Sequence, residues 1–357
     1  MKGKNNIKIH HHAWPPPKTR LARYLLPLLI LGLAVHLLLP QIASLKNSID
    51  VIRSMSLRLV SLAAIGQICS YLGSGYLLKV IVDLGQSRLS IARGALITLA
   101  SASIGLVAGG WVGAAAATYH WVEKSEETSE EAALAGVLPP LVNNALLVIV
   151  TVIGLAYLLI NHDLSRTQLI AYSLFLSLLG IGILVVIYAI RHPEVVIPIV
   201  LNVIGRLMDL VKRTYDPSGA RNALENIYTG LALLRKSGWF RPALGSGMNI
   251  GFDMLTLDLL FMAAGHTATP GVLMAGYGLA FLLGKIAFIV PGGVGVIESG
   301  MAAIYTNLGI PGSISVVVIL SYRLFSFWIP SVLGFAVTGY LQRTPRKRHS
   351  PKNFIGQ

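Results

Sequence analysis

Phe288–Glu298 reads FIVPGGVGVIE. The stretch lies deep in apolar sequence, yet it holds a proline, three glycines and a carboxylate. Pro291 has no backbone N–H, and Gly292, Gly293 and Gly295 favour conformations that a helix does not use. A chain that breaks its backbone inside a bilayer must bury the break in protein or line a cavity with it. The stretch therefore reads as the floor of a substrate site.

The surrounding composition supports a bilayer setting. Of 357 residues, 54% are hydrophobic and 12% charged, against about 25% charged in soluble domains. With long uncharged runs such as Leu59–Leu78, this predicts an all-α polytopic membrane protein. The net charge of +14 would suggest nucleic acid in a soluble chain. In a membrane protein, Lys and Arg collect in cytoplasmic loops beside anionic headgroups, so no nucleic-acid partner is expected. The single Cys69 excludes an internal disulfide and a multi-cysteine metal site. The first apolar stretch ends at Pro40 without a small-residue cleavage pattern and reads as a retained helix.

In chain order, 1–23 is a basic cytoplasmic tail with a Pro15–Pro17 spacer, and Tyr24–Pro40 is the first span. Ile42–Arg58 reads as a polar connection and Leu59–Leu78 as a second span ending at Lys79. Gly94–Tyr119 is rich in Ala, Gly and Ser. It fits either one tightly packed helix or a re-entrant hairpin turning at Gly109–Gly110. Glu123–Glu131 is an acidic connection, and Pro140–Ile160 and Thr167–Ile190 are plain spans. In 191–241, Val195–Val211 and Ala220–Lys236 read as helices on the membrane surface. Pro242–Gly265 is a span carrying Asp253 and Asp258. A second candidate hairpin follows, with FIVPGGVGVIE at its turn, and Ser313–Leu341 is the last span, with Arg323 inside it. A basic tail, 342–357, ends the chain.

Charge counting separates the topologies. If both candidate hairpins enter and leave on one side, cytoplasmic segments hold 22 Lys and Arg and outer segments 4. If both are single crossings, the counts become 14 and 12. The positive-inside rule favours the hairpins. The expectation is six full spans plus two re-entrant hairpins in a domain over 24–341. Its halves, about 57–190 and 242–341, would form an inverted repeat with both termini cytoplasmic.

The residues that could carry chemistry are Lys79, Asp253, Asp258, Lys285, Glu298 and Arg323. A charge at bilayer depth costs about 2.5–3.5 kcal/mol on insertion scales. These residues either pair as locks between helices or face a polar cavity and meet a charged headgroup. Arg323 is the strongest candidate for an anion, because a guanidinium stays charged and holds phosphate through two hydrogen bonds. Glu298 falls where a helix restarts, so it reads as a helix cap or as a partner of Arg323 or Lys285. Asp253 and Asp258 lie about 140° apart around a helix and do not form a paired-carboxylate site. No phosphate-binding loop, zinc-ligand spacing or GxSxG turn is present. No cofactor or metal is expected.

PGGVGVIE, with Tyr322–Arg323 and Trp328–Pro330 downstream of it, resembles the lysylphosphatidylglycerol synthase transmembrane family, also described as flippase-like. GLALLRKSG at 230–238 fits that family's amphipathic segment. The resemblance covers roughly 20–341 and implies lipid handling. Pro291, Gly292, Gly293, Gly295, Glu298 and Arg323 match its pattern. In two-part members the membrane domain is held to move aminoacylated phosphatidylglycerol, which a separate cytosolic domain makes. Only the short tail 342–357 follows the last span here, so lysine transfer is not expected. Stand-alone relatives are linked to polyprenyl-linked sugars, glycolipids or hopanoids.

The expected function is translocation of a lipid or lipid-linked headgroup between leaflets of the cytoplasmic membrane, rather than covalent catalysis. The hairpin turns, Gly109–Gly110 and Gly292–Gly293, would frame the site, with Arg323 and Lys285 meeting phosphate. The expected ligands are an anionic phospholipid, a glycolipid or a polyprenyl-phosphate-linked glycan. The expected protein partners are a second copy or a separate lipid-modifying enzyme. A membrane-embedded transferase with a lipid-linked donor and a non-transporting assembly subunit are the alternatives.

Overall fold

The computed structural model describes residues 45–343, apart from 86–87, 109, 125–128, 162–163, 211–216 and 287–290. The expected first span Tyr24–Pro40, both tails and Gly109 lie outside the described residues. Within them the chain is helical, with no strand. Four helices are long and apolar enough to cross a membrane, namely Leu57–Val82, Ala132–Asn161, Arg166–Arg191 and Gly312–Arg343. The protein is an all-α polytopic membrane protein.

The first half comprises α1 (Leu45–Ser54), α2 (Leu57–Val82), α3 (Ile91–Val107), α4 (Trp111–Glu123), α5 (Ser129–Asn161) and α6 (Arg166–Arg191). The polar connection expected at 42–58 therefore contains a helix at Leu45–Ser54. The 33 residues of α5 run through Pro139 and Pro140, so the helix starts well before the expected Pro140. Prolines are tolerated in transmembrane helices where neighbours satisfy the freed backbone groups. The start of α3 is capped by Ser90, which accepts from the Arg93 N–H at 3.2 Å. The Ser165–Gln168 capping box opens α6. None of the residues of α6 is buried, as suits a helix surrounded by lipid.

Next come α7 (Pro193–Leu210) and α8 (Pro217–Ser237), in the region where two helices are expected from sequence. The second half is α9 (Phe240–Ala263), α10 (Pro270–Ile286), a 3-10 turn (Pro291–Gly293), α11 (Val296–Asn307), α12 (Gly312–Arg323), a π-helical turn (Leu324–Trp328) and α13 (Ile329–Arg343).

Both glycine-rich segments are helical hairpins. In the first, α3 ends at Val107 and α4 starts at Trp111, and the two helices pack on each other. Gly110 has φ 69° and donates its N–H to the Gly105 carbonyl at 2.7 Å. The second break has φ 67° at Gly292, 63° at Gly293 and 83° at Gly295, after which α11 packs back against α10. A side chain strains all these conformations. The hairpin helices have 17, 13, 17 and 12 residues. At 1.5 Å per residue they reach about 18–25 Å, short of a bilayer core of about 30 Å.

The most extensive packing joins α2 to α9. Gly66 meets Thr256, Gly73 meets Asn249, and Gly245 meets Leu77, so the two helices run in opposite directions. A Cβ on Gly73 would stand 2.6 Å from the Asn249 nitrogen. Small residues are what allow two backbones this close. The hairpins exchange partners around this pair. The first helix of the second hairpin, α10, packs on α5 through Gly154 and Gly278, while α3 packs on α13 through Gly334. The largest apolar core lies on the α9–α10–α11–α12 side and includes Phe261, Tyr305 and Tyr322.

Candidate functional site

A polar cavity of about 300 Å³ opens between α2, α9, the second hairpin and the α12 end. Its wall includes Gln67, Tyr71, Asn249, Asp253, Gly292 and Arg323. On α2, Gln67, Ser70 and Ser74 recur at helical spacing and share one face. On α9, Asn249 and Asp253 are one turn apart. Asn249 Nδ2 donates to Ser70 Oγ at 2.9 Å, and Ser70 Oγ donates to the Asn249 carbonyl at 2.9 Å. This reciprocal pair ties the two helices at the cavity edge. Tyr71 OH donates to the Ser326 carbonyl at 3.2 Å, inside the π-helical turn. Among the described residues, Gln67 Oε1 and Ser326 Oγ are buried without a hydrogen-bond partner.

Glu298 and Arg323 meet at the hairpin tip. Arg323 Nε donates to Glu298 Oε1 at 2.7 Å, and the residues are 3% and 2% exposed for Arg323 and Glu298. The other carboxylate oxygen, Oε2, accepts from the Gly295 N–H at 2.6 Å. Arg323 Nη2 reaches the Gly292 carbonyl at 3.3 Å, and its guanidinium lies 4.2 Å from the Phe327 ring centroid. Glu298 thus serves as helix cap and as ion-pair partner together, two roles that the sequence presents as alternatives. The guanidinium binds the tip of the second hairpin to α12. The positive φ of Gly292 brings that tip beside Phe327 and Leu106, the latter on the last turn of α3. The two hairpins therefore touch next to the cavity.

Asp253 has separate partners. Its Oδ2 accepts from Tyr277 OH at 2.7 Å and Tyr322 OH at 2.6 Å. Both tyrosines are buried, so each contact satisfies a hydroxyl in apolar surroundings. Tyr277→Phe and Tyr322→Phe are each expected to lower stability by about 1 kcal/mol, read as a reduced unfolding temperature in detergent.

Of the residues singled out from sequence, Arg323, Gly292 and Asp253 line the cavity, and Glu298, Gly293 and Gly295 lie directly behind Gly292 and Arg323. Pro291 begins the 3-10 turn. Gly110 marks the turn of the other hairpin. Lys79 is not part of the cavity wall; it forms an i,i+4 ion pair with Asp83 at the end of α2. Asp258 is half-buried further along α9, and Lys285 is exposed in the last turn of α10, neither lining the cavity. Lys285 and Arg323 therefore do not converge, contrary to the expectation that both meet one phosphate. Sequence reasoning misses Gln67, Ser70, Tyr71, Asn249 and Tyr277, and it names Tyr322 only beside Arg323 in the family motif. The polar face of α2 and the Asn249/Asp253 spacing are the signals that could have found them.

A family model described as "Lysylphosphatidylglycerol synthase TM region" matches residues 25–334. A UPF0104 membrane protein of Methanocaldococcus jannaschii is 25% identical over 233 residues, which is 64% of this chain and 68% of the relative. One from Methanothermobacter thermautotrophicus is 25% identical over 205 residues, 54% of this chain and 57% of the relative. A third, from Pyrococcus horikoshii, is 32% identical over 85 residues, 24% of this chain and 25% of the relative.

Proposed function

Because this chain belongs to the family of the lysylphosphatidylglycerol synthase TM region, we propose that it moves a lipid or lipid-linked headgroup between leaflets. The substrate class is an anionic phospholipid, a glycolipid or a polyprenyl-phosphate-linked glycan. The observation that carries this reading is the polar cavity between α2 and α9. An apolar membrane protein keeps polar groups inside chiefly for a polar passenger. A cavity of this size fits a headgroup, while acyl chains remain in the lipid around the helices.

The two short hairpins are read as re-entrant, one from each side, in an inverted repeat around α2 and α9. The exchanged packing of α10 on α5 and of α3 on α13 supports this, as does the positive-inside count. Rocking of one half against the other would then expose the cavity to each leaflet in turn. In this arrangement both termini and the 191–241 segment are cytoplasmic. A cysteine in place of Ser237 is expected to resist a membrane-impermeant thiol reagent in intact cells and to react after permeabilisation. Labelling in intact cells would overturn the topology.

The transport reading is tested in proteoliposomes with labelled lipids of the three classes. Accelerated exchange between leaflets with unchanged lipid mass is expected. Conversion to a new mass would replace it with a membrane-embedded transferase.

A further inference from the structure

The charge arrangement in the cavity has an imbalance. Arg323 is already neutralised by Glu298 at 2.7 Å. Among the described residues, that leaves Asp253 as the uncompensated charged group lining the same 300 Å³ space. If Asp253 is ionised, an anionic headgroup entering the cavity adds a second uncompensated negative charge in a low-dielectric site. Two like charges confined to so small a space repel even at an effective dielectric of about 20. One carboxylate must then be protonated for both to coexist.

The groups facing Asp253 determine which one. Tyr71 and Gln67 approach from α2, Tyr277 from α10, and Tyr322 and Arg323 from α12. Glu298 acts from α11 through Arg323, and Asp258 lies on α9 itself outside the cavity wall. Arg323 is the only cation in this set, and its Nε is committed to Glu298. Glu298 also holds the Gly295 N–H, so both its oxygens already accept hydrogen bonds within the hairpin tip. Asp253 meets neutral hydroxyls and the Gln67 amide. An amide can present either end to a carboxyl, donating to the ionised form or accepting from the protonated one. Gln67 donates to Asp253, and among the described residues its Oε1 is a buried acceptor with no donor; rotation of the amide would turn that acceptor toward a protonated Asp253.

We propose that Asp253, with Gln67, Tyr277 and Tyr322, is a proton-binding site coupled to an anionic headgroup, so that headgroup and proton cross together without net charge. This rests on the lipid-translocation reading above. The step is a protonation: the carboxylate takes one proton from the side the headgroup enters and releases it on the other side as the headgroup leaves.

The test uses the full chain in liposomes, with trace NBD-labelled phosphatidylglycerol and, separately, NBD-labelled phosphatidylcholine. Dithionite quenching reads the outer-leaflet fraction at steady state, with and without an imposed pH gradient. One-to-one coupling predicts an anionic-probe asymmetry of up to about tenfold per pH unit, accumulating away from the acidic side. The zwitterionic probe should stay evenly distributed, and nigericin should abolish the asymmetry. Asp253→Asn and Asp253→Thr should equilibrate the anionic probe evenly whatever their rates. An even distribution of the anionic probe in the wild type, with exchange faster than in protein-free liposomes, would overturn the proton site and leave the transport reading intact. Equal bias of both probes, or persistence of the bias in both Asp253 variants, would also overturn it. No accelerated exchange of either probe would remove both proposals.

Discussion

Arg323→Met is expected to destabilise the protein by about 3–5 kcal/mol, the cost of leaving a buried charge without its partner. Glu298 is 2% exposed and would lose its Arg323 Nε contact. The tip of the second hairpin would also lose the contact between Arg323 Nη2 and the Gly292 carbonyl. Combining Arg323→Met with Glu298→Gln is expected to restore most of the loss. Glutamine still offers an oxygen to the Gly295 N–H, and no unpaired charge remains. Monodispersity and unfolding temperature in detergent read both variants. The double variant should fold yet transport poorly, since the cavity has lost its guanidinium. If the double variant is as damaged as the single one, the ion pair does more for this fold than neutralise itself.

Gly292→Ala should be the most damaging alanine substitution among three contrasting glycines. Gly247 sits in α9 with open space where a Cβ would go. Alanine there should be neutral or stabilising by about 0.5–1 kcal/mol, through helix propensity. Gly309 closes α11 at φ 93° with open space around it. Alanine there bears the left-handed penalty alone, about 1–2 kcal/mol. Gly292 has φ 67° and would place a Cβ 2.6 Å from the Phe327 ring and 2.9 Å from Leu106. Its penalty adds overpacking of about 1–3 kcal/mol at the contact between the hairpins. Unfolding temperatures should fall in the order Gly247, Gly309, Gly292. Transport should be lost only in the last if the tip shapes the cavity.

The hairpins are legible in the sequence because their cause is local. Pro291 fixes its own φ and lacks an N–H, and glycine admits positive φ, wherever the segment lies; Gly292, Gly293 and Gly295 adopt it. Gly110, at φ 69°, works the same way. The Glu298–Arg323 pair is legible only as one of two choices, since the partners sit on different helices and packing of α11 on α12 decides. Lys79 reads as an intramembrane charge although Asp83, one turn on, is an i,i+4 partner. The polar wall from Gln67, Ser70 and Asn249 leaves only a weak signal in the sequence, the polar face of α2 and the spacing of Asn249 and Asp253. Hydroxyl and amide side chains are ordinary in membrane helices, and only the close approach of α2 and α9 at Gly73 turns theirs into a site. The start of α5 is misread because Pro139–Pro140 resembles a helix beginning. That rule assumes water on the other side of the proline.

The most direct test of lipid translocation is leaflet exchange of labelled lipid in proteoliposomes carrying the wild type or Asn249→Leu. Exchange well above protein-free liposomes is expected for at least one of an anionic phospholipid, a glycolipid or a polyprenyl phosphate. A fall of tenfold or more, on the order of the 1.4 kcal/mol expected from losing a cavity hydrogen bond, is expected in Asn249→Leu that still elutes as a folded species. Exchange no faster than in protein-free liposomes for all three lipids, or equal rates in the two proteins, would contradict translocation through this cavity.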